Sequence, residues 1–473
     1  MKTTRRHVLQ SAAAIAAAPA LHLRGAQPSA NRPPNILFLY TDDQACWGAN
    51  AYGFPEPHTP NMDRIGAAGA LFENAFVTTP VCSPSRASLF TSQPSFRTGI
   101  RDFLDYRREP ELGLSEHFPT WPLLLRQSGY RTGLFGKWHL GTRPEHHPTR
   151  RGFHEFMGFL EGGNNPMDPF LEIEGKTSQI KGPLPDLLTD AALGFMKRHQ
   201  SQPFLATVHF RAPHSPYGPV PEADTAAVAD RKLAPPNIAG LDVEDVLKRR
   251  RGHYASIASV DRNVGRMLDA LDSWGLASNT LVICTSDNGY MIGHHGALGK
   301  GNATSMLPAR NRLPNMFEDS IRVPMYLRWP GRVRPGTRIR EMVTNLDYFP
   351  SLLRIAGATA AIPEGYLPCG RDFTPLLLGE KAPWRNTVFG DYDMYHYFED
   401  SMRMIRTERW KLVTHSHIDV AHELYDLRQD PGETRNLIGS FAHGDVKIDL
   451  RRKLYAWQTW MGDPRRRAPW EEM

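Results

Sequence analysis

The chain has 473 residues, 41% hydrophobic and 22% charged, which is enough to bury a large core and excludes a disordered or fibrous protein. Its net charge of +6 comes from 56 Lys and Arg interspersed with 50 Asp and Glu, a mild excess that suits acidic substrates without pointing to nucleic acid. Four scattered cysteines, with no C-x-x-C, make neither a disulfide framework nor a zinc site.

The first segment, "MKTTRRHVLQSAAAIAAAPALHLRGA", carries a twin arginine (Arg5, Arg6) ahead of an alanine-rich apolar run too short to span a bilayer. Residues 1–30 therefore read as a signal peptide for the twin-arginine export machinery. No later stretch reaches membrane-spanning length, so the expectation is an exported, periplasmic or secreted protein without a membrane anchor.

After a proline-containing linker, "NILFLYTDD" (35–43) is a nearly unbroken apolar run ending in two acids, the pattern of a buried parallel strand with polar groups at its carboxyl end. The form recurs in "FLATVHFRAPH" (204–214) and "TLVICTSDNG" (280–289), with helical stretches between, among them 120–128 and 243–274. Strands alternating with helices predict an α/β fold with a large mixed, mostly parallel sheet flanked by helices, and strand-end groups that share one rim. A further helix is expected over 345–357, stopped by Gly357. Beyond about residue 380 the texture changes: "RMIRTERWKLV" (403–413) reads as two short strands and a tight turn, "ELYDLRQDPGETRNL" as turn-rich, and 445–461 as a last helix. The expected organisation is a catalytic domain over 31–380 and a smaller antiparallel sheet plus helix over 381–473.

Asp42 and Asp43 close one strand, Asp287 and Asn288 another. Three carboxylates and an amide are hard oxygen donors and suit Ca²⁺ or Mg²⁺. Two-zinc enzymes built on a related sheet want a histidine where Asn288 stands, which argues against zinc. A thiolate beside such an ion is a poor match, and as a nucleophile Cys82 has no histidine nearby in sequence. Yet Cys82-Ser83-Pro84-Ser85-Arg86 is the Cys-x-Pro-x-Arg pattern for oxidation of cysteine to formylglycine. On this motif, with "NILFLYTDD", "GKWHLG", "RAPHSPY", "TSDNG" and "EDSIRVPMYLRWPG", the chain resembles the type I sulfatases, formylglycine-dependent members of the alkaline phosphatase superfamily.

The resemblance implies an alkaline-phosphatase-like fold and a sulfuric ester hydrolase. By it, Cys82 becomes an aldehyde whose hydrate attacks sulfur with one hydroxyl and expels sulfate with the other. It further implies Ca²⁺, with Mg²⁺ the weaker alternative, held by Asp42, Asp43, Asp287, Asn288 and the diol at position 82. Arg86 would steady the diol and the metal's carboxylates, Lys137 and His139 of "GKWHLG" would contact sulfate and diol with His139 as base, and His214 and Lys300 would contact sulfate, one of them protonating the leaving oxygen. The implied partners are sulfated carbohydrate or another sulfate ester as substrate and a formylglycine-generating enzyme during maturation. Two other readings stand beside this one: a phosphonate monoester or phosphodiester hydrolase with the same nucleophile, and a non-catalytic relative that binds sulfated glycans. The stretch "NATSMLPARNRLPN" after Lys300 is longer than in the shorter members of the family. Aromatics in "WPLLLRQSGY" and "DYDMYHYFED" (391–400) are candidates for a sugar subsite.

Overall fold

The computed structural model describes residues 32–309 and 311–466; the signal peptide expected over residues 1–30 lies outside them. Ten strands form the principal sheet, in the order Thr337–Ile339, Ala70–Phe72, Met325–Arg328, Thr280–Ser286, Asn35–Asp42, Phe204–Pro213, Arg131–Lys137, Glu155–Phe159, Phe170–Ile173 and Lys176–Gln179. The middle of the sheet is parallel: Ile36 lies beside Leu205 and Leu281, and Gly133 lies beside Ala206 and Glu155. Antiparallel strands occupy much of both flanks.

Asn35–Asp42 is buried along its whole length, because its successive side chains feed two separate cores. Ile36, Phe38 and Tyr40 enter one apolar cluster, and Leu37 and Leu39 enter another on the opposite face. The 31-residue helix Val243–Ser273, whose cap Asp242 accepts from the Asp245 amide at 3.1 Å, covers the second face with Val260, Val264, Met267 and Leu271. The helices Cys82–Thr91, Trp121–Gln127 and Tyr348–Ile355 cover the first.

The expected C-terminal elements are present. Thr387–Met394, Asp400–Thr407, Trp410–Thr414 and Glu423–Asp426 form an antiparallel sheet, and the helix Gly444–Met461 packs on it through Leu450 and Leu454. "ELYD", expected as part of a turn-rich stretch, is its fourth strand, held by main-chain pairing to Trp410–Val413. The other face of this sheet sends Tyr392, Met402 and Met404 into the first core cluster, so the described residues from Pro33 to Arg466 form one compact unit. Among the described residues no helix is long and apolar enough to cross a membrane.

Candidate active site

Four strand ends and one helix start converge. Asp42 ends its strand opposite Pro213, and Thr41 lies opposite Ser286, so Asp42, His214 and Asp287 emerge at one carboxyl edge. Lys137 ends the next strand along. Asp43 leaves the strand in the left-handed region (φ 71°), which aspartate tolerates better than most residues, and its amide donates to Asp287 Oδ1 at 3.2 Å.

Cys82 opens a helix in which all ten residues are buried. Pro84 fits its first turn because amides there have no intrahelical acceptor to lose. Cys82 Sγ accepts from Lys300 Nζ at 2.8 Å and lies 3.7 Å from Asp42 Oδ1. Arg86, one turn on and fully buried, points to the carboxylates: Nε and Nη2 both donate to Asp287 Oδ2, at 3.0 and 2.8 Å, and Nη2 is 3.8 Å from Asp42 Oδ2. Lys137 Nζ donates to Asp42 Oδ2 at 2.6 Å. Lys300 also donates to Asp43 Oδ1 and lies 3.9 Å from Asp42 Oδ1. All ten residues singled out from the sequence thus meet around one point or line the cavity beside it.

The electrostatics follow from this packing. Burial works to raise Asp42, but Lys137, His214, Lys300 and Arg86 together hold it well below the ordinary carboxylate value. Burial and the neighbouring Asp42 push Asp287 up to about 6. Burial also pushes the Cys82 thiol up to about 11, against the pull of Lys137 and Lys300. At pH 7.5 its thiolate fraction is below about one in 10³, so native unmodified protein is expected to resist iodoacetamide at Cys82 and to react fully once denatured. Peptide mass mapping of the two samples checks this; rapid native labelling would contradict the buried, protonated thiol.

His139 Nε2 lies 3.0 Å from the Leu104 carbonyl, which fixes the proton there, and Nδ1 is buried without a hydrogen-bond partner. Its ring keeps a free lone pair, and burial, followed by Lys137, lowers its proton affinity well below the ordinary histidine value. A Cβ at Gly162 would stand 2.6 Å from His139 Cε1, whereas one at Gly163 would meet nothing within 4 Å. Gly162→Ala is therefore expected to displace the imidazole and lower kcat at least about tenfold, with Gly163→Ala within about twofold of the parent. Steady-state kinetics of the pair decides; equal activities would mean that His139's position is immaterial.

The donor set fits a hard divalent cation. Carboxylate oxygens of Asp42, Asp43 and Asp287 lie within 4.8 Å of one another. Asn288 spends its amide hydrogens on Asp43 Oδ1 (2.6 Å) and the Gly289 carbonyl (2.9 Å), and leaves its buried Oδ1 without a partner. A buried oxygen with unspent lone pairs beside three carboxylates is suited to metal ligation.

A cavity of about 540 Å³ opens beside Cys82, His139, His214 and Lys300. Met291–Ile292, Ala297–Gly299, Asn302–Ser305 and Arg312–Pro314 form a small antiparallel sheet, and the last three of these strands line part of the cavity wall. Lys300 sits in the tight turn between the second and third of them, and the long stretch after it becomes the rest of that sheet. Of the candidate sugar-subsite aromatics, Trp121 and Tyr130 are buried in the core, as is Tyr392, while Tyr397 faces the cavity. His294 and His295 pack elsewhere, against Trp47 and Phe317.

Several supporting residues carry no local sequence signal. His253 Nε2 lies 3.1 Å from the Asp43 carbonyl, and Ser85 Oγ donates to the Asp287 carbonyl at 2.5 Å. Asn345 Nδ2 donates to Ser85 O and Oγ, both at 3.1 Å. Each occupies an interior position of a helix or its entry, where a polar residue reads as a satisfied core group.

The sulfatase family model matches residues 34–358, and the model for the N-sulphoglucosamine sulphohydrolase C-terminal region matches residues 312–459. Arylsulfatase A of Homo sapiens is 30% identical, over 88% of this chain and 86% of its own length. N-acetylglucosamine-6-O-sulfatase of Bacteroides thetaiotaomicron is 26% identical, over 90% and 87%. A protein solved in complex with its substrate D-glucosamine-2-N,6-O-disulfate has a TM-score of 0.78 at 25% identity, over 92% of this chain and 99% of the other. Phosphonate monoester hydrolase of Agrobacterium radiobacter shares the fold, with a TM-score of 0.68 at 24% identity over 90% and 96%.

Proposed function

The chain belongs to the sulfatase family, and from that membership we propose that it releases sulfate from sulfated carbohydrate through a formylglycine made from Cys82, with Ca²⁺ held by Asp42, Asp43, Asp287 and Asn288. The observation that carries this reading is the meeting of the Cys-x-Pro-x-Arg cysteine with Lys300 and Asp42 beside an open cavity. The carbohydrate preference draws on the sulfated-sugar substrates named for the relatives.

Hydrated formylglycine supplies a geminal diol: one hydroxyl forms the bond to sulfur as the alcohol leaves, and the other, on deprotonation, restores the aldehyde and frees sulfate. The cation, when bound, supplies Lewis-acid stabilisation of negative charge at the reacting centre. Lys137 and Lys300 bring two buried positive charges to the same place, where low dielectric strengthens their hold on sulfate oxygens. The helix that starts at Cys82 directs its amides toward that charge. His139, with its lone pair at Nδ1, takes the proton for the elimination step. Either His214 or Lys300 protonates the departing oxygen; Lys300 is held well above its ordinary value by Asp43, Cys82 and Asp42 despite burial. Burial lowers His214, which is about a quarter exposed to the cavity. Arg86 fixes Asp287 and Asp42 through its guanidinium.

Retention of every cation and every metal acid disfavours a non-catalytic relative. Mass analysis of the peptide 80–90 from active protein is expected to show aldehyde in place of thiol, and an aryl sulfate to be turned over in preference to the matching aryl phosphate. Intact thiol in fully active protein, or a clear preference for phosphate, would overturn the reading. Export through the twin-arginine route belongs to the same reading, with Cys82 altered before the fold buries it; a cytoplasmic precursor already carrying the aldehyde is the expected finding.

A further inference from the structure

We infer that Arg312, together with Tyr397, forms a second anion-recognising subsite in the catalytic cavity, so that the favoured substrate carries another acidic group besides the sulfate that is cut. The inference rests on the sulfatase reading and refines its substrate class. The cavity's 540 Å³ is far more than one sulfate group occupies and matches the space taken by a ligand of several rings. Its outer wall must therefore meet the body of the substrate.

Arg312 is set on the last strand of the small antiparallel sheet, paired with Thr304. Its Nη1 donates to Thr304 Oγ1 at 3.0 Å, and its guanidinium lies 4.7 Å from the Tyr397 ring centroid. Among the described residues no carboxylate comes within ion-pair distance of Arg312, although Asp105 on the same cavity is taken by Arg108 at 3.4 Å. A planar fork of five donors, oriented from one end and short of an anion, is pre-set for bidentate contact with carboxylate or sulfate.

Tyr397 is 58% exposed, sits in the left-handed backbone region (φ 67°) and stacks near Phe103 at 6.0 Å. A bulky residue held in that conformation with its ring toward a cavity is a mark of function rather than of packing. Arg312 and Arg108 both lie over the Tyr397 ring, 4.7 and 5.1 Å from its centroid, so the ring holds the Arg312 guanidinium in place at the cavity wall. Glu161 and Arg107 also line the cavity and offset one another in sign, so Arg312 leaves the outer wall with a net preference for an anion.

The test uses three probes: a sulfated disaccharide containing a uronic acid, its carboxyl-reduced form, and the reduced form bearing a second sulfate. The intact protein is expected to favour the uronate or the doubly sulfated probe over the reduced one at least tenfold in kcat/KM, through KM; which of the two is favoured tells carboxylate from sulfate. Arg312→Gln should remove that preference and Arg312→Lys restore part of it, while Tyr397→Ala, which frees the guanidinium, should weaken it. Thermal melts of the variants check folding. A preference that survives in Arg312→Gln, or its absence in the parent, overturns the inference. Failure of the parent to cut any of these esters, the aryl sulfate included, would instead overturn the sulfatase reading beneath it.

Discussion

Replacing Cys82 with serine is expected to give a folded protein that completes one turnover and stops, with steady-state kcat/KM lower by about 10³-fold or more. The fold should hold because a hydroxyl fits the place of the sulfur, between Lys300 at 2.8 Å and Asp42 at 3.7 Å. A serine oxygen at position 82 is still beside Lys300 and near the helix amides, so it can capture sulfate. Its carbon bears no second hydroxyl, however, and the ester has no internal route of release. The expected signature is a stoichiometric burst of alcohol product, with a sulfated peptide 80–90 detected by mass. A plain cysteine nucleophile predicts something else. With the thiol pushed up to about 11, its rate would climb tenfold per pH unit through neutrality as the thiolate fraction rose. Sustained turnover by Cys82→Ser, or that steep climb in the parent, would remove the diol from the mechanism.

Much of this site is legible in the sequence because its chemistry sits where strands end. "NILFLYTDD" and "TLVICTSDNG" announce both a buried parallel strand and the acids at its tip, and parallel neighbours in register must place those tips together. The Cys-x-Pro-x-Arg motif is local, so its helix start is visible too. What stays hidden depends on long-range packing. Nothing near Arg86 indicates that its guanidinium turns to Asp287, 201 residues away, or that Ser85 and Asn345 brace the Asp287 backbone from behind. The antiparallel sheet around Lys300 was equally hidden: strands of two to four residues give too short a period to recognise. The fourth strand of the C-terminal sheet, Glu423–Asp426, is specified by its partner strand rather than by its own turn-rich surroundings.

Arg86→Met is expected to abolish measurable turnover, lower stability by about 3–5 kcal/mol, and shift Ca²⁺ binding to higher pH. Arg86 and Asp287 are both fully buried, so removing the guanidinium leaves a carboxylate with its main counter-charge gone. Even with Arg86 present, burial and Asp42 push Asp287 up to about 6. Between the ordinary value of an aspartate and about 6, the folded chain holds a proton that the unfolded chain has released. The contribution of Asp287 to stability is thus present at acid pH and is lost as pH rises through about 6. A dication needs the deprotonated form and competes with that proton, so Ca²⁺ affinity should fall by up to about tenfold per unit below pH 6. In Arg86→Met the fall should begin at higher pH, since among the described residues only Arg86 donates two hydrogen bonds to Asp287 Oδ2. Calorimetric titration with Ca²⁺ from pH 5 to 8 measures both curves. The double variant Arg86→Met, Asp287→Leu separates structure from chemistry: with both charges removed, stability should recover by about 1–4 kcal/mol, while turnover stays lost. Affinity that does not change between pH 5 and 7 in the parent would exclude Asp287 as a ligand, and a double variant with restored activity would reduce the Arg86–Asp287 pair to scaffolding.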